Sequence, residues 1–358
     1  MKDTLKFFDK VTFFILLLIS IIGIFLIYSA SHTETNTYYL KQSLWLVFSL
    51  IVFLFVFKIR TTVLFRYATF FYFLLIIILF VQLIAGKITA GTKSWLKFGF
   101  FSVQVSEFMK IVLSIVIAKY ISKIKTIQWK EFFVLAVIIG IPFLFIAIQP
   151  DMGTAMIFSS LFITTIFLKG IKKSIIIFLI ITVILSSFLF WNYFLKPYQK
   201  DRITSFVNPE KYSKSSGYQI IQSKIAIGAG GISGKGYLKG SQSKYKFLPT
   251  RHTDFIISLL GEEFGFLGIS FFLLLYFIFF YRQFSFNTEI EEQFNLVYLM
   301  LGTLFFQFLI NVLMSMGLIP ILGLPLPFVS YGGSSLLGFY IMEGIIFKIR
   351  INSYINEF

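Results

Sequence analysis

The chain has 358 residues, of which 57% are hydrophobic and 13% charged, with no cysteine. Soluble domains average about 45–50% apolar and about 25% charged residues, so an ordinary soluble enzyme and a disordered chain are excluded. Without cysteine there is no disulfide scaffold, thiolate metal site or thiol nucleophile. The 32 Lys and Arg residues outnumber 16 Asp and Glu, a charge of +16 that is unusual on so apolar a protein.

Long uncharged apolar runs dominate the chain, and each is long enough to cross a hydrocarbon core of about 30 Å as a helix. The first, from Val11 to Tyr28, is too long for the apolar core of a cleaved signal peptide. The sequence therefore predicts an all-α integral membrane protein, a single polytopic domain over residues 1–358. The ten predicted spans are residues 11–31, 42–57, 67–86, 104–118, 132–149, 152–168, 174–195, 255–281, 294–316 and 327–347.

Basic residues between the spans predict the orientation, because cytoplasmic loops of membrane proteins are enriched in Lys and Arg. With ten spans, most of the basic connections fall on one side, which places both termini in the cytoplasm. The residues on that side are Lys2, Lys6, Lys10, Lys58, Arg60, Arg66, Lys119, Lys123, Lys125, Lys130, Lys169, Lys172, Lys173, Lys348 and Arg350.

Two outer segments are basic against this rule, namely residues 84–104 and the long polar loop 196–253. From Lys200 to Arg251 the loop carries ten Lys or Arg residues but two acidic ones. One interpretation is a solvated loop that touches anionic lipid headgroups. The other is a site for an anionic substrate outside the cytoplasm, since Lys and Arg pair with phosphate and carboxylate. The shortage of acidic partners favours the second.

A glycine-rich run, residues 228–236, lies within this loop but does not fit a nucleotide phosphate loop. Counting back from Gly234-Lys235 puts Ala229 where the first glycine belongs, and Gly236 stands where Ser or Thr should hold magnesium. The remaining interpretation is a flexible turn whose backbone N–H groups are free for an anion.

Ionisable residues inside or at the ends of apolar spans are costly and usually functional. Glu107 and Lys110 are three residues apart, so they share a helical face and can pair. Asp254 begins span eight directly after the basic loop, with Glu262 two turns deeper, and Glu343 lies near the inner end of span ten. The alternative, that such groups only hold helices together, weighs equally for Glu107–Lys110 and Glu343 but less for Asp254.

Two breaks predict non-helical backbone at membrane depth. Gln149-Pro150-Asp151 separates spans five and six, and segment 317–335 contains three prolines and several glycines. Such backbone survives only where protein or a watery cavity satisfies its polar groups. The second segment therefore predicts a lined cavity that opens outward.

Four motifs in chain order resemble the SEDS family of bacterial cell-wall proteins, and its elongation members more than its division members. The resemblance covers essentially the whole chain, and the pair Arg251-His252 and residues 234–236 favour the elongation members. The motifs are residues 149–154, 217–228, 247–256 with 261–263, and 325–335.

The resemblance implies a peptidoglycan glycosyltransferase at the outer face of the bacterial cytoplasmic (inner) membrane. Its substrate would be lipid II, a disaccharide-pentapeptide on undecaprenyl pyrophosphate. Its partners would be a class B penicillin-binding protein, which cross-links the strands, and other membrane proteins of the elongation complex. We expect no nucleic-acid partner and no organic cofactor, with Mg²⁺ or Mn²⁺ as the candidate cation.

The resemblance also assigns roles to individual residues. The essential aspartate of the family's His-Thr-Asp-Phe motif falls on Asp254, and the acid and base of its fourth span match Glu107 and Lys110. Asp151 matches its Gln-Pro-Asp aspartate and Trp95 an aromatic residue of the loop between spans three and four. The chain departs from the family at Val105, where Pro is usual, and at Ser94, where many members carry Arg, and both departures leave the ionisable groups in place.

The predicted site thus combines one catalytic carboxylate, Asp254, with a set of residues expected to bind substrate. We expect a sugar hydroxyl to displace an α-linked pyrophosphate, with Asp254 as base and loop cations, with or without a divalent metal, neutralising the leaving group. The expected substrate-binding residues are Trp95, Glu107, Lys110, Asp151, Lys224, Lys235, Arg251, His252, Glu262, Ser330 and Tyr331.

The role of Asp254 depends on its exact place. In the first turn of span eight the helix dipole would lower its pKa and its basicity, and it would then position the hydroxyl or hold a metal. The apolar spans would supply a lateral groove for polyprenyl tails.

Two other functions fit parts of the sequence. A flippase for the same lipid-linked sugar would also need many spans, interior charges and broken helices, but it should show matched internal repeats, and none is visible. A scaffold that only recruits the cross-linking partner leaves the charges around Asp254 unexplained.

Overall fold

The computed structural model describes residues 7–32, 37–85, 94–98, 101–212, 216–241, 245, 247–248 and 250–356. Within these residues the fold is almost entirely helical, with one short antiparallel hairpin. The helices are α1 (Lys10–Ser31), α2 (Tyr38–Lys58), α3 (Thr61–Ala85), α4 (Val105–Ile121), α5 (Trp129–Ile148), α6 (Met152–Lys169), α7 (Lys173–Leu189), α8 (Pro197–Val207), α9 (Ser216–Ala229), α10 (Ile256–Phe284), α11 (Glu291–Ser315) and α12 (Gly333–Asn356), and the strands are β1 (Trp95–Phe98) and β2 (Phe101–Gln104).

The predicted all-α membrane fold is confirmed, because each of the ten predicted spans corresponds to one helix, α1 to α7 and α10 to α12. In the described part, 8 helices are long and apolar enough to cross a membrane. The other two are α4, with 17 residues, and α12, which contains charged side chains. The chain is a multi-pass membrane protein.

The ends of α1, α10 and α12 meet at the side predicted to be cytoplasmic. Asp9 accepts a hydrogen bond from Arg282 at 2.8 Å and lies 3.4 Å from the guanidinium of Arg350. The start of the first helix and the end of the last therefore lie at the same end of the bundle, as an even number of spans requires.

Two local structures were missed by the sequence analysis. The loop 196–253 contains helices α8 and α9, and the segment before α4 forms the hairpin β1–β2, with Trp95 opposite Gln104. Both helices are short and carry polar residues, so they lack the long apolar run that identifies a span. Pro197 starts α8 at a position where a missing backbone N–H costs nothing.

Helix α7 stands apart from the rest of the bundle. Ile175 is its one buried side chain among the described residues. Its Phe178 ring lies 5.3 Å from Trp129 and 6.0 Å from Phe132 of α5, near the predicted cytoplasmic end. The apolar side chains beyond that point face outward, as expected of a helix surrounded by lipid.

Candidate active site

The segment between α11 and α12, residues 317–332, is non-helical and is held by side chains of the surrounding helices. Asn311 donates to the Leu324 carbonyl at 2.7 Å, and Gln307 donates to the Pro325 carbonyl at 3.0 Å. Gln42 of α2 donates to the Ser330 carbonyl at 3.2 Å. These contacts satisfy the polar backbone by protein, one of the two ways open to such a segment at membrane depth.

Asp254 lies at the outer end of α10, two residues before the helix begins at Ile256. Its backbone N–H donates to Thr250 at 3.0 Å, and its carbonyl accepts from Asn311 at 3.0 Å. A Cβ on Gly323 would be 3.7 Å from the Asp254 carboxylate oxygen Oδ2. The carboxylate is therefore partly buried against segment 317–332.

Burial raises the pKa of Asp254 to about 6, although a hydrogen bond from Thr253 and the charge of Arg202 act in the opposite direction. The expectation that Asp254 begins the span was wrong by two residues, so the carboxylate does not lie within the first helical turn. At neutral pH it is still ionised but is more basic than an ordinary aspartate. This combination suits a general base.

Hydrogen bonds join the motif that contains Asp254 to the motif at the end of segment 317–332. Ser330 donates from its hydroxyl to the Thr253 carbonyl, and the Tyr331 N–H donates to the His252 carbonyl at 2.9 Å. The His252 ring stacks on Tyr38, with centroids 4.7 Å apart. Three predicted site residues, His252, Ser330 and Tyr331, are thus brought beside Asp254.

Two predicted loop cations have partners away from Asp254. Arg251 is buried and donates to the Ala30 carbonyl of α1 at 2.7 Å. Lys235 forms a 2.8 Å ion pair with Glu262, whose side chain is fully buried. The inference that the loop cations lack acidic partners was therefore wrong for Lys235. The missing partner comes from a span, 27 residues further along the chain.

Most N–H groups of the glycine-rich run are hydrogen-bonded within the protein, contrary to the prediction that they are free for an anion. Helix α10 is kinked at Gly265, with φ 65° and ψ −161°, which interrupts its internal hydrogen bonds. The N–H groups of Lys235 and Gly236 bond to the carbonyls of Glu262 and Glu263, at 3.0 and 2.9 Å. The run also accepts two hydrogen bonds, from the N–H groups of residues 266 and 267. It therefore replaces the bonds that the kink removes.

We expect Gly234→Ala to lower the melting temperature far more than Gly231→Ala. Both glycines have positive φ, 78° and 55°, so both variants bear a similar backbone strain. A Cβ at Gly234 would lie 2.1 Å from the Glu263 carbonyl oxygen, whereas a Cβ at Gly231 meets nothing within 4 Å. Thermal unfolding in detergent would measure the difference. Equal melting temperatures would show that docking of the run on α10 does not stabilise the protein.

The predicted residues Asp151 and Trp95 lie at the same end of the bundle. Asp151 caps α6, accepting from the Thr154 N–H at 3.2 Å, and accepts from the Gln104 side chain at 2.8 Å. Gln104 is the hairpin partner of Trp95. Its N–H lies 3.3 Å from the Ser334 hydroxyl at the start of α12. Gln104 thus links two of the four motifs, residues 149–154 and 325–335, to the hairpin, and it was absent from the predicted site.

The predicted Glu107–Lys110 pair exists, with a distance of 2.8 Å, and is almost fully buried. Lys110 also donates to Gln307 at 3.1 Å, and Gln307 in turn donates to the Pro325 carbonyl. The pair is thereby connected to segment 317–332. Gln307 belongs to a row of polar residues on α11 that was not predicted, namely Gln307, Asn311 and Ser315. Their four-residue spacing on an otherwise apolar helix is the signal that could have identified them.

The loop helices add two cations at the edge of segment 317–332. Lys224 of α9 is exposed, and a Cβ at Gly317 would lie 2.4 Å from its Cε. Arg202 of α8 lies 3.4 Å from the carbonyl oxygen of Ile321. Lys224 was predicted, whereas Arg202 was noted only as one of the basic residues of the loop.

Two apolar cavities lie on the lateral faces of the bundle. One, of about 460 Å³, is between α1 and α10 and has Tyr237 at its outer rim. The other, of about 680 Å³, is formed by residues of α2, α3, α4 and α12 and includes Phe108, next to Glu107. Both have the apolar lining that the predicted polyprenyl groove requires, and the occupant of either stays a prediction.

The fold and the site define a polytopic membrane protein with a polar, charged site at one end of its helix bundle. The chain belongs to the FtsW/RodA/SpoVE family of cell cycle proteins, whose profile matches residues 9–355. The predicted family resemblance is confirmed.

Relatives and solved structures agree with this assignment. The peptidoglycan glycosyltransferase MrdB of Escherichia coli K12 is 36% identical over 79% of this chain and 78% of its own length. The peptidoglycan glycosyltransferase RodA of Treponema pallidum is 32% identical over 96% and 97%. A chain from a solved peptidoglycan synthase complex, described as coordinating polymerization and crosslinking, has a TM-score of 0.84 and 26% identity over 97% of this chain and 98% of that one.

Proposed function

We propose that this chain polymerises lipid II into glycan strands at the outer face of the bacterial cytoplasmic membrane, for cell elongation. Its activity is peptidoglycan glycosyltransfer, as in the relatives from E. coli and T. pallidum. The observation that carries the proposal is the Asp254 carboxylate, which lies against Gly323 of segment 317–332, with the Arg202 guanidinium at the Ile321 carbonyl of the same segment; burial raises the pKa of Asp254 to about 6. Inversion at an anomeric carbon needs this combination of a base and a cation.

The proposed reaction uses Asp254 as a base. The oxygen of an acceptor hydroxyl attacks the anomeric carbon of the donor while its proton passes to the Asp254 carboxylate. The bond from that carbon to the diphosphate oxygen breaks, and its electron pair leaves with undecaprenyl pyrophosphate. Attack from the face opposite the α-linked leaving group gives the β product, so no second carboxylate is required as nucleophile.

A metal site built by the protein alone is not supported. Among the described residues there is no group of three or more His, Cys, Asp or Glu side chains that could hold a metal ion. Mg²⁺ commonly binds through one carboxylate and substrate phosphates. We therefore propose that a divalent cation would bind only together with the diphosphate of the substrate. No step of the reaction above depends on it.

The proposed partner is a class B penicillin-binding protein that cross-links the new strands. Support comes from the solved synthase complex, one chain of which shares this fold at 26% identity. Other elongation-complex proteins of the inner membrane remain part of the same proposal.

The test is reconstitution of the purified chain with its penicillin-binding partner, fluorescent lipid II and Mn²⁺ or Mg²⁺. We expect glycan polymer from the wild type and none from Asp254→Ala at equal protein concentration. Equal polymer from both proteins would contradict the assignment of Asp254. A parallel vesicle assay follows lipid II across the bilayer, and translocation without any polymer would identify a flippase instead.

A further inference from the structure

A small apolar core at the outer end of the bundle, separate from the main one, fixes the loop helices beside Asp254. It joins α8 and α9 to the C-terminal end of α11, to segment 317–332 and to the residue that follows Asp254. Its members are Phe206, Ile220, Leu248, Phe255, Met314, Ile319 and Ile321. The position of α8 relative to Asp254 is therefore set by packing.

The Arg202 side chain extends from α8 toward segment 317–332, which also contacts Asp254. It precedes Phe206 by four residues, so both side chains lie on one face of the helix. Its guanidinium lies 3.4 Å from the Ile321 carbonyl oxygen, and its charge acts on the Asp254 carboxylate. Gly323, two residues beyond Ile321, adjoins that carboxylate. The guanidinium thus lies against residue 321 and the carboxylate against residue 323 of the same short segment.

Three other described cations of the loop make contacts away from Asp254. Arg251 donates to the Ala30 carbonyl, and Lys235 pairs with Glu262. Lys200, on α8 like Arg202, lies over the Trp191 ring, 5.9 Å from its centroid. Among the described loop cations, Arg202 is the one whose charge opposes the rise in the pKa of Asp254, and its guanidinium lies beside the Ile321 carbonyl.

We propose that Arg202 binds the diphosphate of the lipid-linked donor and holds it next to Asp254. The inference rests on the proposed function and names the residue that receives the leaving group. As the bond between the anomeric carbon and the diphosphate oxygen breaks, negative charge grows on the diphosphate and is neutralised by the guanidinium. The planar fork of N–H donors matches two phosphate oxygens, which a lysine ammonium cannot do. The acceptor proton goes to Asp254 in the same step.

The test separates diphosphate binding from catalysis. Farnesyl diphosphate and farnesyl monophosphate are titrated onto the purified full-length chain as the wild type, Arg202→Gln, Arg202→Lys and the control Lys200→Gln. We expect Arg202→Gln to weaken diphosphate binding about 10- to 100-fold and monophosphate binding much less. Lys200→Gln removes the same charge from the same helix and should bind both ligands as the wild type does.

Steady-state kinetics provide a second measurement, because a purely structural role of Arg202 would leave KM and kcat unchanged in a variant that folds normally. With lipid II, Arg202→Lys keeps the charge but loses the fork, so we expect a higher KM together with a lower kcat and an unchanged melting temperature. If Arg202→Gln does not fold, Arg202→Lys carries the binding comparison alone.

The inference is overturned if the Arg202 variants prefer the diphosphate as strongly as the wild type, or if the wild type itself shows no such preference. If the proposed function is wrong, a different result is expected, because the wild-type protein then makes no polymer from lipid II. The binding titration still tests whether Arg202 binds a diphosphate.

Discussion

Replacing Asp254 with asparagine is expected to lower kcat for glycan synthesis about 100- to 10,000-fold, the usual loss on removing a general base. The amide has nearly the same shape and keeps the backbone contacts with Thr250 and Asn311, which involve only main-chain atoms of residue 254. A structural explanation for lost activity is therefore weak. Polymer length and amount from fluorescent lipid II, at equal partner concentration, measure the effect.

The pH dependence of the wild type gives an independent check on this assignment. Since burial raises the pKa of Asp254 to about 6, the carboxylate is ionised at pH 7.5 and becomes protonated as the pH falls through 6. We expect kcat/KM, whose pH dependence reports the pKa of the free enzyme, to fall on the acid side with an apparent pKa near 6. A flat profile between pH 5 and 8, or an asparagine variant with more than a tenth of the wild-type rate, would remove Asp254 from the role of base.

The same substitution should stabilise the protein at neutral pH. The pKa of Asp254 rises from 3.8 to about 6 on folding, so the ionised carboxylate disfavours the folded state above pH 6. That penalty disappears as the pH falls from 6 to 4. We expect Asp254→Asn to raise the free energy of unfolding by about 1–2 kcal/mol at pH 8, after allowing for partial exposure, and by little at pH 4. Melting temperatures at the two pH values measure the difference.

The membrane-spanning part of the fold was predictable because lipid imposes a simple rule on the sequence. A span needs about 20 apolar residues, and proline and glycine interrupt helices, so the ten spans and the breaks at 149–151 and 317–332 could be read directly. The sequence pattern that identifies the loop helices is weaker. Helices α8 and α9 are stabilised by a few apolar side chains such as Phe206 and Ile220, and a short polar segment shows no clear period.

Some residues of the candidate site could be predicted from their motifs, but their contacts could not, and Gln104, Gln307 and Arg202 were missed. Asp254 and His252 lie in one motif and Ser330 and Tyr331 in another, and the structure brings them together. The partnership of Lys235 with Glu262 could not be predicted, because it depends on the α10 kink. Gly265 alone does not reveal such a kink, since glycine also occurs in unbroken helices.

Removing the charge of Lys110 should have the largest effect on stability. Lys110→Met leaves the Glu107 carboxylate buried without its ion-pair partner at 2.8 Å, which typically costs about 3–5 kcal/mol. The double variant Glu107→Gln with Lys110→Met removes both charges and should recover most of that loss, because two neutral side chains carry no desolvation penalty for charge. Melting temperatures of the single and double variants in one detergent measure both effects.

Activity should not recover with stability in the double variant. Lys110 donates to the Gln307 side-chain oxygen at 3.1 Å, which leaves the amide nitrogen to bond the Pro325 carbonyl at 3.0 Å. Without the ammonium, the Gln307 amide loses one of these two hydrogen bonds and is held less firmly, so its support of segment 317–332 beside Asp254 is weakened. We expect kcat about tenfold below the wild type despite a near-normal melting temperature. Full recovery of both would make the pair a purely structural link between α4 and α11, the alternative that the sequence left equally open.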